Sequence, residues 1–254
     1  MKTIILCGGQ GTRMKEETEF KPKPLVLIGG KPILWHIMKI YSHYGFNDFI
    51  LALGYKGEMI KQYFMNWRSL VNDFTLDTKN HEIAFHNNGC DDFKITFADT
   101  GVETAHGERV LKLKDYVKDD VFMVTYGDGV SNIDISKLVD FHKKKGVIAT
   151  ITGVHPTSRW GIVNIDKDDL IKDFSQKPDY YGYVNGGFMV LNKEIFDYIK
   201  PSDMIEKSLL RLIPEKQLAM YRHDDFWFGM DTYREVLILN ELWQNNPKWK
   251  IWEN

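Results

Sequence analysis

Lys2-Thr3-Ile4-Ile5-Leu6-Cys7-Gly8-Gly9-Gln10-Gly11-Thr12-Arg13 is an apolar run that breaks abruptly into glycines. Residues 2–7 predict a buried strand, and the glycines predict a tight turn at its end. Glycines in that place let backbone N–H groups approach a phosphate closely. Thr12 adds a hydroxyl donor, and Arg13 adds a planar cation that can grip a phosphate through two hydrogen bonds. A plain strand-to-helix turn would use the same glycines, so the turn alone does not identify a ligand. Two phosphate-binding patterns are excluded. No Gly-Lys-Ser/Thr follows, as a Walker A loop requires, and Met14 holds the place of the third glycine of a dinucleotide fingerprint.

Outward from this turn, strands alternate with helices. Residues 31–44 carry Ile33, Leu34, Ile37, Met38, Tyr41 and Tyr44 at helical spacing, with Pro32 suited to the first turn. Residues 48–53 predict a strand and 56–67 a helix. Further strands are expected at 94–98, 120–126 and 147–153, with a helix over 134–145. The alternation implies βαβ units and a mostly parallel sheet flanked by helices, an α/β fold. Later, 159–165 and 170–175 suggest a hairpin and 184–191 a strand. Helices are expected near 192–199, over 203–213, where Asp203 and Glu206 resemble a capping box, and near 232–244; a strand falls near 218–222. No repeat, low-complexity segment or linker interrupts the 254 residues, which predict one domain, with a first half to about 130 and a second from about 131.

Composition narrows the function classes. A net charge of −2 gives no sign of a general nucleic-acid binder. With 43% hydrophobic and 27% charged residues the chain is ordinary for a globular protein. Two cysteines, Cys7 and Cys90, make a disulfide framework improbable, and Cys7 reads as a buried structural thiol. The apolar run at residues 4–6 is too short for a signal sequence, and nothing approaches a membrane span, so a cytoplasmic location is expected.

Lys21-Pro22-Lys23-Pro24 follows the glycine turn. The prolines stiffen the segment and fix where its lysines point, and a rigid lysine near a glycine turn suits a triphosphate. Gly-Gly-x-Gly-Thr-Arg, then Lys-Pro-Lys-Pro, then Gly29-Gly30-Lys31-Pro32-Ile33-Leu34 together resemble the sugar-phosphate nucleotidyltransferase family, and within it the cytidylyltransferases. The likeness runs on through Tyr126-Gly127-Asp128-Gly129, Asn185-Gly186-Gly187 and Met230-Asp231-Thr232.

The resemblance implies a Rossmann-like nucleotidyltransferase fold. It implies transfer of CMP from CTP to a small phosphorylated acceptor, with Mg²⁺ (or Mn²⁺), toward an activated precursor for surface polysaccharide. It also implies roles. Arg13, Lys23 and Asp128 carry catalysis. Leu6, Gly8, Gly9, Gly11, Thr12, Thr104 and Arg109 join them around the nucleotide. Asp128 and Asp231 hold the metal. Arg159, Gly161, Gln176, Lys177, Asn185 and Lys207 face the acceptor. Independently of the family, Asp128 ends an apolar strand, where open α/β sheets bind ligands, and a lone Asp such as Asp231 before a helix would ordinarily be an N-cap.

Two departures bear on the acceptor. Gln176 stands where the family usually has glutamate, and Lys207-Ser208 where the glucose enzymes tend to carry Glu-Pro. Both changes remove acidic character and would suit an acceptor with its own carboxylate, as in the family's phosphoglutamine-cytidylylating branch. Three rival readings remain: a nicotinamide oxidoreductase, which leaves Lys23, Asp128 and Asp231 unexplained; a non-catalytic nucleotide-binding module; and the same transfer from UTP or dTTP. A homo-oligomer is expected, and Trp243, Trp249 and Trp252 are candidates for core, interface or both.

Overall fold

The computed structural model describes residues 1–156, 162–165, 167, 170–175 and 182–253. Seven strands form the central sheet: β1 (Thr3–Leu6), β2 (Asp48–Leu53), β3 (Lys94–Asp99), β4 (Val121–Tyr126), β5 (Ala149–Val154), β6 (Val184–Asn192) and β7 (Leu218–His223). Their order is β7-β5-β6-β4-β1-β2-β3. β1 pairs in parallel with β2 and β4, β2 with β3, and β5 with β7, while β6 runs antiparallel between β5 and β4. The sheet therefore draws strands from both halves of the chain.

The central strands are buried on both faces, which is why they read as apolar runs rather than alternating ones. Ile5, Phe49, Leu51 and Met123 face a core closed by helix α1 (Ile33–His43) and the C-terminal tail. Ile4, Ile50, Ala52 and Val124 face the opposite core, which is closed by α2 (His106–Lys112) and α3 (Ile205–Leu212). Helices α4 (Ile135–Lys145), α5 (Tyr233–Asn245) and Gly57–Met65, the last where a helix was expected over 56–67, also pack on the core.

Of the tail tryptophans, Trp249 and Trp252 are buried in the core and Trp243 is half-buried. Trp249 is 0% and Trp252 8% exposed, and both surround His36 of α1 together with Trp35 and Trp243. Trp249 Nε1 donates to His36 Nδ1 at 3.3 Å, and His36 Nε2 lies 2.9 Å from the Ile28 carbonyl. Since Nδ1 accepts, Nε2 carries the proton and the imidazole is neutral. Burial holds His36 down at about 4, well below its ordinary value of 6.5. Gly29, at φ +57, is a glycine because a Cβ there would lie 2.0 Å from the Trp243 indole.

Several expectations need correction. α3 begins at Ile205 with Met204 at its N-cap, so Asp203 and Glu206 form no capping box. Asp203 instead accepts from the Lys200 amide at 3.0 Å and pairs with Arg211. The segment Lys193–Asp197 is a 3₁₀ turn, shorter than the helix expected near 192–199. An exposed hairpin, Phe74–Asp77 with Glu82–Phe85, was not anticipated. The later hairpin pairs Ile162–Ile165 with Ile171–Ser175 as the sequence suggested.

Candidate active site

The cleft opens at the C-terminal ends of β1 and β4, whose last residues Leu6 and Tyr126 are register partners. Beyond β1 the chain enters the glycine turn. Gly11 takes φ +63, and a Cβ there would lie 2.7 Å from Thr18 Cγ2, so only glycine fits without displacing Thr18. The Thr18 hydroxyl clamps the turn by hydrogen bonds to the carbonyls of Gly11 (3.0 Å) and Met14 (2.9 Å). Gly9, Gly11, Thr12 and Arg13 face the cleft.

Lys23 starts a 3₁₀ turn, Lys23–Leu25, flanked by Pro22 and Pro24. Its side chain is only 12% exposed and points at two carboxylates. Nζ donates to Asp128 Oδ2 at 2.5 Å and to Asp231 Oδ1 at 3.0 Å. Burial alone would push this ammonium down; the Asp128 and Asp231 carboxylates outweigh it and hold it above the usual lysine range. Arg13 Nη1 donates to the other oxygen of Asp231, Oδ2, at 3.0 Å.

A short ribbon brings the two aspartates together across a hundred residues. Gly129–Ser131 pairs antiparallel with Trp227–Gly229, Gly129 opposite Gly229, and the Met230 amide donates to the Asp128 carbonyl at 2.9 Å. Asp231 is not the N-cap of α5. Thr232 fills that position and forms a capping box with Glu235, whose carboxylate accepts from the Thr232 amide at 2.7 Å. Thr232 thus satisfies the helix end, and the Asp231 carboxylate is directed to the cleft.

Hard oxygen ligands converging on one cation suit Mg²⁺, which commonly takes one or two carboxylates and completes its shell with phosphate and water oxygens. Asp128 and Asp231 already share a cation, the Lys23 ammonium, so the donor set fits such an ion. No cluster of three or more His, Cys, Asp or Glu ligands occurs among the described residues.

Two expected nucleotide contacts, Arg109 and Thr104, are not among the residues lining the cleft. Arg109, on α2, is 1% exposed. Its Nη1 donates to the carbonyls of Leu53 (3.1 Å) and Gly101 (2.6 Å) and to the Thr100 hydroxyl (2.6 Å). Its Nη2 donates to the carbonyls of Gly8 (3.1 Å) and Val102 (2.9 Å). A Cβ at Gly8 would lie 2.2 Å from the Arg109 guanidinium. Arg109 therefore props the glycine turn from beneath. Thr104 spends its hydroxyl on the Thr100 carbonyl at 2.6 Å and accepts from Lys112 at 3.0 Å, stabilising the same loop. Cys7 lines the cleft, but burial, reinforced by Asp128, pushes its thiol far up, so it is neutral and no nucleophile.

The opposite wall centres on Tyr126. Its hydroxyl donates to Glu206 Oε1 at 2.5 Å, and Asn185 also hydrogen-bonds it. Gly187, at φ +86, leaves room for the ring, since a Cβ there would lie 2.5 Å from Tyr126 Cδ2. His106 stands beside the ring at 5.7 Å between centroids and is held below its ordinary value by burial. From α3, Glu206 reaches the Tyr126 hydroxyl; Glu206 and its neighbour Lys207 are both exposed. Beside Lys207, α3 therefore also carries a carboxylate, Glu206, to the Tyr126 hydroxyl. Arg159, Gly161, Gln176 and Lys177 lie outside the described residues.

A family model described as nucleotidyl transferase matches residues 2–249. The chain belongs to the nucleotidyl transferase family. This nucleotidyl transferase is 48% identical to the Bacillus subtilis (strain 168) protein "Probable glucose-1-phosphate cytidylyltransferase" over 257 residues, covering 99% of its own length and 100% of the relative's. It is 42% identical to the glucose-1-phosphate cytidylyltransferase of Salmonella typhimurium, with both chains covered in full. Among solved structures, HddC of Yersinia pseudotuberculosis matches with a TM-score of 0.69 at 22% identity, covering 95% of this chain and 99% of that one, a likeness of fold. No helix among the described residues is long and apolar enough to cross a membrane.

Proposed function

We propose that this nucleotidyl transferase moves CMP from CTP to glucose 1-phosphate, releasing pyrophosphate and forming CDP-glucose with Mg²⁺. The observation that carries the reading is the convergence of Lys23, Asp128, Asp231 and Arg13 beside the glycine turn. The identity of the base and acceptor is supported by the full-length similarity to the Salmonella and Bacillus relatives.

The glycine turn offers backbone N–H groups to the triphosphate, and Arg13 and Lys23 offset its charge. An oxygen of the acceptor phosphate attacks the α-phosphorus in line, a new P–O bond forms, and the bond to the β-phosphate breaks with its electron pair leaving on pyrophosphate. No protein nucleophile or base is required, because a phosphate dianion is itself a nucleophile; the enzyme contributes positioning and charge neutralisation. Mg²⁺ held by Asp128 and Asp231 would supply Lewis-acid polarisation of phosphate oxygens. Tyr126, Asn185 and Glu206 form a hydrogen-bonding wall suited to acceptor hydroxyls. Glu206 favours a polyhydroxylated acceptor over one bearing a carboxylate, because two anions would meet there.

Lys23→Ala is expected to cut kcat by about 10²–10³, the scale for removing one preorganised electrostatic contact. A loss under tenfold, measured by pyrophosphate release at saturating CTP, would remove Lys23 from the reaction.

A further inference from the structure

The cations assigned to the triphosphate are already paired with the carboxylates assigned to the metal. Lys23 Nζ stands between Asp128 Oδ2 (2.5 Å) and Asp231 Oδ1 (3.0 Å), and Arg13 Nη1 holds Asp231 Oδ2 (3.0 Å). Among the described residues, two cations and two carboxylates pair with one another here. A Mg²⁺ ion takes carboxylate oxygens at about 2.1 Å. An ammonium already 2.5 Å from Asp128 Oδ2 covers the approach such an ion needs. Two positive centres crowded at one carboxylate pair, in a pocket where Lys23 is only 12% exposed, would repel with little screening. Lysine and metal are alternatives at these oxygens.

We propose that Lys23 is the resident counter-ion of the metal site, and that metal and triphosphate bind by exchange. The metal takes Asp128 and Asp231, and the displaced Lys23, with Arg13, takes the phosphates. Each half-step is disfavoured alone. Metal without triphosphate strands a largely buried ammonium, and triphosphate without metal strips the carboxylates of their partners and sets its own charge beside them. Metal and triphosphate therefore strengthen each other's binding through the protein, and the coupling is reciprocal. This inference rests on the reading of the cleft as a metal–triphosphate site, and it does not depend on which base or acceptor the enzyme uses.

The test uses nucleotide-free full-length protein and two probes. Mn²⁺ alone is titrated with detection by electron paramagnetic resonance. Lys23→Met is expected to bind Mn²⁺ about tenfold tighter than wild type, within the usual range of coupling between sites. Inorganic tripolyphosphate is titrated calorimetrically in EDTA, so neither metal nor base contributes. Asp231→Asn, which releases Arg13 and one contact of Lys23, is expected to bind it at least about fivefold tighter than wild type. A lysine that merely braces the carboxylates would give the opposite sign in the first experiment. Lys23→Met binding Mn²⁺ no tighter than wild type, or Asp231→Asn binding tripolyphosphate no tighter, overturns the exchange. Failure of the functional reading shows elsewhere, as absence of CDP-glucose synthesis by wild type while both binding shifts persist.

Discussion

His36 makes the protein sensitive to acid by an amount the structure sets. Its ring is enclosed by four tryptophans, accepts from Trp249 at Nδ1 and bonds the Ile28 carbonyl at Nε2, so protonation must break the Trp249 contact and bury a charge. Burial holds the folded value at about 4 against 6.5 for the ordinary histidine. Below 6.5 the unfolded chain binds a proton that the folded chain refuses, so stability falls as pH drops and the loss is complete below about 4. The full gap, at about 1.4 kcal/mol per pH unit, is worth about 3 kcal/mol, of which about 2 kcal/mol is lost by pH 5. The assay is urea unfolding at pH 7 and pH 5, comparing wild type with His36→Gln, whose amide can serve both partners without titrating. Other titrating groups act on both proteins and cancel in the comparison. Wild type is expected to lose about 2 kcal/mol more than the variant over this interval. Equal losses would refute the claim that His36 is a neutral core residue.

Three further outcomes follow from the cleft. Arg109→Met removes the guanidinium donor from the carbonyls of Gly101 and Val102, and one of several donors from those of Gly8 and Leu53, and is expected to cost about 3 kcal/mol by urea unfolding; a cost under about 1 kcal/mol would argue against the prop. Gly187→Ala forces a side chain onto φ +86 and into the Tyr126 ring, with an expected loss of about 1–3 kcal/mol and a raised KM for the acceptor. Glu206→Gln is expected to raise the KM for glucose 1-phosphate about tenfold and leave that for CTP unchanged, the scale of a hydrogen bond to a charged group; an unchanged acceptor KM would detach Glu206 from recognition.

Much of this architecture was legible because it is local. An apolar run of strand length marks β2 over Asp48–Leu53, and the turn after Leu6 announces itself through glycines, of which Gly8 and Gly11 leave no room for a side chain. Lys23 was legible because two prolines fix its direction. Non-local pairings were hidden. The ribbon joining Gly129–Ser131 to Trp227–Gly229 is three residues long on each side, too short to show a period, yet it is what sets Asp128 beside Asp231. Arg109 read as a cleft residue because its cage is assembled from Gly8, Leu53 and the 100–102 loop, which no sequence window contains together. Glu206 was lost to an apparent capping box with Asp203, whereas Thr232-Tyr233-Arg234-Glu235, a real one, went unnoticed beside Asp231. The signal was present there: a threonine followed three residues later by glutamate.

The most direct test of nucleotidyl transfer at this cleft follows the fate of CTP labelled at the α-phosphorus, incubated with wild-type protein, Mg²⁺ and glucose 1-phosphate. Label is expected in CDP-glucose, with unlabelled pyrophosphate released in equal amount and no product from Asp128→Asn on the same timescale. Label remaining in CTP, or appearing only in CMP or CDP, would contradict the account.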